Sequence, residues 1–269
     1  MQPTIIINPR TVPITDRAFN YGDGLFETIL VKDGQPKHLA QHIKRLHLGC
    51  SKLTIVKPTI KTIESAVKKS IGRTKGCIIK IILSRGLSHH GYSFDNKTKP
   101  RLYVIKKNKK NIINNRPITL GYSRYTVSDN SYLSKIKHLN RIEQILGLTM
   151  SSKSQFDDFI LLNKKNYIIE TISSNIFFYN NKNNNLDFYT PDLSDCGVDG
   201  IMKNIIIKFL KKNKIKIIER KIKENTIKNY DGAFICNSIT GIRFIKKIDK
   251  YNFKYPDKIK MLFNEFIYE

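Results

Sequence analysis

Two spacings of apolar residues recur along the first part of the chain, one typical of helices and the other of strands. Between His38 and Cys50, and again between Thr59 and Ile71, apolar residues return at the period of an amphipathic helix. Short apolar runs between turn-forming residues indicate strands at Ile5–Ile7, Thr11–Ile14, Leu25–Val31, Cys77–Leu83 and Arg101–Ile105. The pattern therefore predicts strands together with two amphipathic helices.

A polar stretch rich in lysine and asparagine, Lys106–Arg116, interrupts this pattern just before Pro117. This composition is typical of a linker, so we expect one domain at 1–110, a linker at 111–116 and a second domain at 117–269. Because strands outnumber helices in the second half, the predicted fold class is α+β and not a doubly wound parallel sheet. The elements predicted there are strands at Thr119–Tyr122, Asp158–Leu162, Tyr167–Glu170, Asn175–Tyr179, Leu186–Tyr189 and Gly232–Cys236, and helices at Asn140–Ser151, Gly200–Lys211 and Asp257–Ile267.

The composition indicates a globular protein with a strongly basic surface. Of the 269 residues, 40% are hydrophobic, which is enough to bury a core in one or two domains. The formal charge of +26 raises nucleic-acid binding as an alternative, since clustered cations bind phosphates. The lysines are spread among isoleucine and asparagine along the whole chain, which favours a solvated surface that steers anionic ligands inward.

The cysteines and the absence of targeting signals narrow the class further. Cys50, Cys77, Cys196 and Cys236 form no C-x-x-C pair, so we expect buried free thiols and neither a metal site nor a disulfide scaffold. The sequence starts without a basic and apolar leader, and no apolar run approaches the ~20 residues that a membrane-spanning helix needs. We therefore expect a cytoplasmic protein that makes no contact with membranes.

Lys137, within the peptide Ile136–Gln144, is the candidate for amine chemistry. A lysine becomes a nucleophile near neutral pH when burial or a neighbouring cation lowers its pKa. Lys135, His138 and Arg141 are close enough in sequence to have that effect. These neighbours alone do not distinguish Lys137 from a solvated surface lysine, so the assignment depends on the rest of the chain.

Six sequence blocks provide that context: Asp16–Thr28, His42–Leu46, Ile136–Gln144, Glu170–Phe177, Gly197–Met202 and Cys236–Ser238. In this order they resemble the aminodeoxychorismate lyases of the fold-type IV pyridoxal-phosphate family, which also includes branched-chain and D-amino-acid aminotransferases. The resemblance implies a small N-terminal α/β domain and a larger, β-rich C-terminal domain with pyridoxal 5'-phosphate between them. It also implies a homodimer that acts on a small molecule and has no nucleic-acid partner.

The resemblance implies a role for each block. Lys137 carries the cofactor as a Schiff base, and Arg45 grips its phosphate through a bidentate fork that lysine could not reproduce. Glu170 pairs with the pyridine nitrogen and keeps the ring an electron sink, with Ser173 and Asn175 in the same block. The start of a helix and a strand-end turn supply further phosphate donors, at Gly200, Ile201, Met202, Asn237 and Ser238.

Ser84–Ser93 resembles the substrate-facing loop of the family. Tyr92 matches the family pattern, but His90 stands where related lyases have an arginine. The cation that binds a substrate carboxylate is therefore expected to be Arg85 or a lysine. Thr28 stands where the lyases carry a threonine beside the substrate.

The choice between lyase and aminotransferase depends on flanking residues. Thr171–Ile172 replaces the small Gly-Ser pair common among the aminotransferases, which favours the lyase branch. The implied reaction is the elimination of pyruvate from 4-amino-4-deoxychorismate to give 4-aminobenzoate for folate biosynthesis. The alternatives are a D-amino-acid or branched-chain aminotransferase on the same scaffold and, from another class, a basic nucleic-acid-binding protein.

Overall fold

The computed structural model describes residues 2–95, 97–108, 116–149, 155–182 and 185–266. By their internal contacts the residues form two units: unit 1 is Met1–Asn111 with Ile136–Asn140, and unit 2 is Ile112–Lys135 with Arg141–Glu269. Residues 111–115 of the predicted linker lie outside the described residues, as do 150, 151 and 267 of two predicted helices. The predicted domain bounds remain a prediction, and the segment around Lys137 groups with unit 1.

Unit 1 contains a five-stranded sheet in the order β1-β5-β4-β2-β3. β1 runs parallel to β5, and the other neighbours are antiparallel. The strands are β1 (Thr4–Ile7), β2 (Gly24–Lys32), β3 (Gln35–Pro36), β4 (Cys77–Ser84) and β5 (Arg101–Asn108). The helices are α1 (Arg17–Tyr21), α2 (Leu39–Leu53) and α3 (Ile60–Ile71).

The side-chain alternation of β4 explains how this sheet forms one buried face. Between Cys77 and Leu83, every second residue is buried and the residues between them, including Lys80, are half-buried. Side chains of a strand alternate between two faces, so Lys80 lies on the face opposite the core. On the core side, α2 approaches β2 closely enough that a Cβ on Gly49 would lie 2.5 Å from Leu25 Cδ2.

Unit 2 is built on a nine-stranded mixed sheet in the order β11-β10-β9-β12-β13-β6-β7-β8, with β14 paired to β13. Its strands are β6 (Ile118–Val127), β7 (Asp158–Asn163), β8 (Ile168–Thr171), β9 (Asn175–Lys182), β10 (Asn185–Pro191), β11 (Lys216–Arg220), β12 (Gly232–Asn237), β13 (Gly241–Ile248) and β14 (Tyr251–Asn252). Its helices are α4 (Ile142–Thr149), α5 (Ile201–Lys212) and α6 (Asp257–Leu262), with 3-10 turns at Glu224–Asn229 and Asn264–Phe266.

Both faces of the unit 2 sheet are covered by hydrophobic clusters. β9 directs Ile176 and Phe178 into one cluster and Phe177 and Tyr179 into the other. In the second cluster, which includes residues of α5 and α6, the ring of Phe177 stacks on that of Phe234 with a centroid distance of 4.9 Å. The strand ends that carry the candidate site are therefore the ends of a sheet packed on both sides.

Most predicted helices and strands, and the α+β class, are confirmed within a few residues. The predicted strand Thr11–Ile14 is wrong. Val12 and Ile14 are exposed, Pro13 has no N–H to donate to a sheet, and its carbonyl accepts a hydrogen bond from Asp16 N in a turn. The sequence pattern also did not predict α1, β11 or β13.

All four cysteines are buried and free. Among the described residues, no helix has the length and apolar character needed to cross a bilayer. Within the same part of the chain, His, Cys, Asp and Glu side chains form no group of three or more that could hold a metal ion.

Candidate active site

The segment that carries Lys137 is fixed by backbone pairing with β2. Phe26 N donates to Lys137 O at 2.9 Å, and Leu139 N donates to Gly24 O at 3.0 Å. Lys137 is half-buried, and its Nζ lies 4.5 Å from the centroid of the Phe26 ring. Lys135, by contrast, is exposed. The structure therefore separates Lys137 from the solvated lysines, which the local sequence could not do.

Lys137 shares the Phe26 ring with a second lysine. Lys80 Nζ lies 5.3 Å from the same ring centroid, and Lys80 pairs across the sheet with Thr28. Burial lowers the pKa of Lys80, and the charge of Lys107 lowers it further. A partly desolvated cation beside a ring and a threonine hydroxyl is suited to bind a carboxylate.

Arg45 is held by a buried carboxylate on β2. Its Nε donates to Glu27 Oε1 at 2.8 Å and its Nη2 to Oε2 at 2.6 Å, while His42 Nδ1 lies 2.6 Å from Oε2. Burial raises the pKa of Glu27, but the charges of Arg45 and His42 outweigh it and lower the pKa to about 2. Glu27 therefore fixes the direction of the predicted phosphate-binding arginine.

In unit 2, Glu170 and Asn175 hold the same backbone residue. Glu170 Oε2 accepts a hydrogen bond from Val198 N at 3.0 Å, and Asn175 Nδ2 donates to Val198 O at 2.9 Å. Glu170 and Asn175 are both buried. These contacts bring the β8 end, the β9 start and the loop that leads into α5 together.

The start of α5 packs closely against Asn175. Gly200 is its N-cap, and a Cβ at this position would collide with Asn175 Oδ1. The N–H groups of the first turn of a helix have no intrahelical acceptor, and with the helix dipole they bind phosphate. Ile201 and Met202, both buried, begin this turn.

The charged side chains next to this helix start pair with one another within unit 2. Asp199 precedes Gly200, and its carboxylate accepts from Lys203 Nζ at 3.2 Å and from Asn204 Nδ2 at 2.8 Å. Burial lowers the pKa of Lys203, but Asp199 and Glu219 outweigh it and raise the pKa. Lys203 Nζ also donates to Glu219 Oε2 at 2.6 Å, so this buried ammonium is shared and only partly offsets the Asp199 carboxylate, which would repel an anion here.

The turn after β12 adjoins the same end of the sheet. Asn237 Nδ2 donates to Ser174 Oγ at 2.9 Å, and its Oδ1 accepts from the backbone N–H groups of Ile239 and Thr240 at 2.9 Å each. Ser238 lies within this turn. Ser173, which was predicted from the resemblance, is exposed, whereas the buried Ser174 accepts the hydrogen bond from Asn237.

Arg85, predicted to bind substrate, is buried and its guanidinium is bound to the protein itself. Nε donates to Asp23 Oδ2 at 2.7 Å, Nη2 to Leu53 O at 2.6 Å and Nη1 to Thr54 O at 3.1 Å. These bonds give Arg85 a structural role, so Lys80 is the better candidate for a substrate carboxylate. Glu27, Ser174 and Lys80 were all missed from sequence because their roles depend on distant partners.

Comparisons with known proteins agree with this architecture. A model of the class IV amino-transferases matches residues 24–248. The chain is 29% identical to an aminodeoxychorismate lyase from Vibrio harveyi over 245 residues, which cover 87% of this chain and 86% of the relative. It is 26% identical to a putative branched-chain-amino-acid aminotransferase from Methanocaldococcus jannaschii, over 88% of this chain and 83% of the relative.

A solved structure extends the agreement to the fold. The crystal structure of 4-amino-4-deoxychorismate lyase from Pseudomonas aeruginosa superposes with a TM-score of 0.87 at 24% identity, covering 96% of this chain and 94% of that chain. The predicted fold-type IV architecture is thus confirmed. A basic nucleic-acid-binding protein without enzymatic activity is excluded, because the matched family consists of enzymes. The chain belongs to the class IV amino-transferase family and is a pyridoxal-phosphate-dependent enzyme.

Proposed function

We propose that this enzyme is a 4-amino-4-deoxychorismate lyase, which releases pyruvate and leaves 4-aminobenzoate, a step of folate biosynthesis in the cytoplasm. The observation that carries the proposal is the half-buried Lys137, whose backbone pairs with β2 and whose Nζ lies 4.5 Å from the Phe26 ring that Lys80 also approaches. The 29% identity to the Vibrio harveyi lyase supports the same reaction.

The residues on hand suit the parts of pyridoxal phosphate. The first turn of α5, which Gly200 allows to pack directly against Asn175, suits the phosphate, as do Arg45 and the turn at Asn237 and Ser238. Glu170 is buried and suits a protonated pyridine nitrogen. Lys137 supplies the amine that binds the cofactor.

Lys137 then acts as both base and acid. When bound, pyridoxal phosphate supplies an electron sink for the charge that develops on the carbon bearing the substrate amine. Lys137 Nζ, freed when the substrate amine takes its place, removes the proton from that carbon. The electron pair left there forms a new double bond in the substrate ring, and the carbon–oxygen bond to the enolpyruvyl group breaks with its own electron pair on the oxygen. Lys137 returns the proton to the departing enolate, which becomes pyruvate, and the ring becomes aromatic.

Lys80 and Thr28 orient the substrate in this proposal. Lys80 offers a partly desolvated ammonium for a substrate carboxylate, and its cross-strand partner Thr28 offers a hydroxyl. Lys80 would thus supply the cation for the substrate carboxylate, since His90 stands where related lyases have arginine. Tyr92, on the exposed loop, is the further substrate contact.

The protein acts as a homodimer in this proposal, with α4 in the interface. Ile142, Ile145 and Leu148 of α4 are 63%, 55% and 53% exposed, and association through this helix would bury their side chains. We expect Ile145→Asp to shift the sedimentation equilibrium from dimer toward monomer. An unchanged monomeric mass in both proteins would contradict the dimer.

The alternative is an aminotransferase, which the 26% identity to the Methanocaldococcus jannaschii protein favours. The two activities are separated by incubating the purified enzyme with 4-amino-4-deoxychorismate and, in parallel, with D-alanine or a branched-chain amino acid plus 2-oxoglutarate. A lyase releases 4-aminobenzoate and pyruvate in the first reaction. Glutamate formation in the second, without 4-aminobenzoate in the first, would overturn the lyase proposal.

A further inference from the structure

A buried arginine outside the cofactor-binding residues holds an exposed loop of unit 1. Arg17, the first residue of α1, is 4% exposed, and its guanidinium contacts the backbone of the loop at 88–94. Nη1 donates to Gly91 O at 2.8 Å and to Ser93 O at 2.9 Å, while Nη2 donates to Tyr92 O at 2.9 Å. One side chain thus binds three successive carbonyls.

Arg17 is itself fixed from the other side. Its Nε donates to Asp23 Oδ2 at 2.8 Å, and the same oxygen accepts from Arg85 Nε at 2.7 Å. Arg85 in turn donates to the carbonyls of Leu53 and Thr54 at the end of α2. The carboxylate of Asp23 therefore connects the loop-binding arginine to a rigid helix.

Aromatic rings complete this arrangement. The Phe94 ring lies beside both guanidinium groups, with its centroid 3.9 Å from Arg85 Cζ and 5.4 Å from Arg17 Cζ. The Tyr21 ring lies 5.0 Å from Arg17 Cζ and 5.4 Å from the Tyr92 ring. Each contact lies in unit 1, and together they restrain the loop at both its backbone and its rings.

The loop needs such restraint because little else covers it. Tyr92 is 86% exposed, and Gly91 has a φ of 55°, a conformation that the free chain would readily leave. The planar fork of arginine can bind several carbonyls at once, which a lysine ammonium on a flexible stem cannot do in the same geometry. The arrangement therefore depends on arginine and not on positive charge alone.

We propose that Arg17 is a positioning residue for substrate binding: by holding the carbonyls of Gly91, Tyr92 and Ser93, it keeps the Tyr92 side chain where the substrate binds. The inference rests on the proposed function, in which this loop faces the substrate. It extends that function, because the contact between Tyr92 and the substrate would depend on Arg17, a residue that does not itself touch the substrate.

The first test measures loop motion without substrate. The chain contains no tryptophan, so Tyr92→Trp introduces a single tryptophan into the loop, which can be excited at wavelengths where the tyrosines do not absorb. Adding Arg17→Lys should lower the fluorescence anisotropy and raise quenching by acrylamide about twofold, as expected of a loop released from its restraint. Arg101→Lys, which removes an arginine of unit 1 bound to Tyr103 and not to the loop, is the control. Equal anisotropy in the Arg17 and Arg101 variants would overturn the proposal.

The second test separates positioning from general destabilisation. With Tyr92 intact, Arg17→Lys should raise the KM for 4-amino-4-deoxychorismate about tenfold and change kcat less than about threefold, since displacing a substrate contact weakens binding. Pyridoxal phosphate affinity, measured by absorbance, should stay unchanged. An unchanged KM, or a parallel loss of kcat and cofactor affinity, would overturn the positioning role.

Two provisions keep the outcomes distinct. Should Arg17→Lys fail to fold, Asp23→Asn, which removes the carboxylate behind Arg17, takes its place and is expected to give the same shifts. Should the wild-type enzyme produce no 4-aminobenzoate, the proposed function fails. The anisotropy and the KM for D-alanine with 2-oxoglutarate then decide the role of Arg17 on their own.

Discussion

Unit 1 and unit 2 position their candidate binding groups by different means. In unit 1, carboxylates hold arginines: the buried Glu27 binds Arg45, and the half-buried Asp23 binds Arg17. In unit 2, the amide side chains of Asn175 and Asn237 tie together loops and a helix start. The arginines of unit 1 should therefore be disturbed by the loss of a carboxylate charge. The helix start of unit 2 should be disturbed by an added Cβ.

The difference follows from the chemistry of each group. A buried guanidinium needs a counter-charge, because an unpaired buried charge is strongly unfavourable. Backbone N–H groups at a helix start carry only partial charges, and their position here depends on close packing, since Gly200 lies against Asn175 Oδ1 with no space for a Cβ. Removing a charge in unit 1 should thus lower the free energy of unfolding, whereas adding a Cβ at Gly200 in unit 2 should lower the affinity for the cofactor.

The largest effect is expected from removing the Lys137 amine, the group of unit 1 that is proposed to transfer the proton. Lys137→Ala should abolish turnover, because the only proposed proton-transferring group is lost. Lys135→Ala, at an exposed residue two positions earlier, is the matched control and should retain turnover. Release of 4-aminobenzoate is the measurement, and comparable rates in both variants would contradict the assignment.

Removing the buried carboxylate of Glu27 in unit 1 should lower the stability of the fold. Glu27→Gln leaves Arg45 and His42 without their counter-charge, and we expect it to lower the free energy of unfolding by about 3 kcal/mol at pH 7. Glu64→Gln, at an exposed residue of α3, should have little effect. Urea denaturation of both variants tests this, and equal losses would contradict the role of Glu27.

The same carboxylate gives this effect a pH dependence. The pKa of Glu27 is lowered from 4.5 to about 2, so its contribution to stability is complete above pH 4.5 and is lost as the pH falls toward 2. The stability difference between the wild-type enzyme and Glu27→Gln should therefore shrink over that range. A difference that stays constant from pH 6 to the acid limit of folding would contradict the ion-pair account.

Filling the space at the start of α5 tests unit 2. Gly200→Ala places a Cβ against Asn175 Oδ1 and should weaken pyridoxal phosphate binding about tenfold, since a displaced helix start no longer directs its N–H groups at the phosphate. Gly76→Ala is the control, because a Cβ there meets nothing within 4 Å. Cofactor affinity is measured by absorbance titration, and equal affinities would contradict the steric account.

The smallest effect is expected for the substrate cation. Lys80→Met keeps the length of the side chain and removes its charge, so the KM for 4-amino-4-deoxychorismate should rise about fivefold with the cofactor absorbance unchanged. Lys68→Met, at an exposed residue of α3, is the control. A KM that responds equally to both changes would indicate a general field effect and not a contact of Lys80.

Local patterns were sufficient to predict much of this fold. The alternation of β4 and the helical period of α2 and α3 each reflect one buried face, so neighbouring residues carry the signal. The strand predicted at Thr11–Ile14 is wrong because the apolar residues on either side of Pro13 face solvent. β13 was missed, and its neighbours in the sheet include β6, which is far away in sequence.

The candidate site was predictable only where a family resemblance supplied the context. Lys137 could be named from its flanking residues, but its separation from surface lysines depends on pairing with β2. Glu27 finds its partners 15 and 18 residues away, and Ser174 finds Asn237 63 residues away. Arg85 was named for the substrate because its sequence gives no sign of the bond to Asp23.

Lys137 is proposed to be the residue that binds pyridoxal phosphate, and this can be measured directly. Purified enzyme loaded with the cofactor is reduced with borohydride, digested, and examined by mass spectrometry for the lysine that carries the pyridoxyl group. We expect a single modified peptide with the adduct on Lys137. An adduct on Lys135 or Lys80, or a protein that takes up no reducible cofactor, would contradict it.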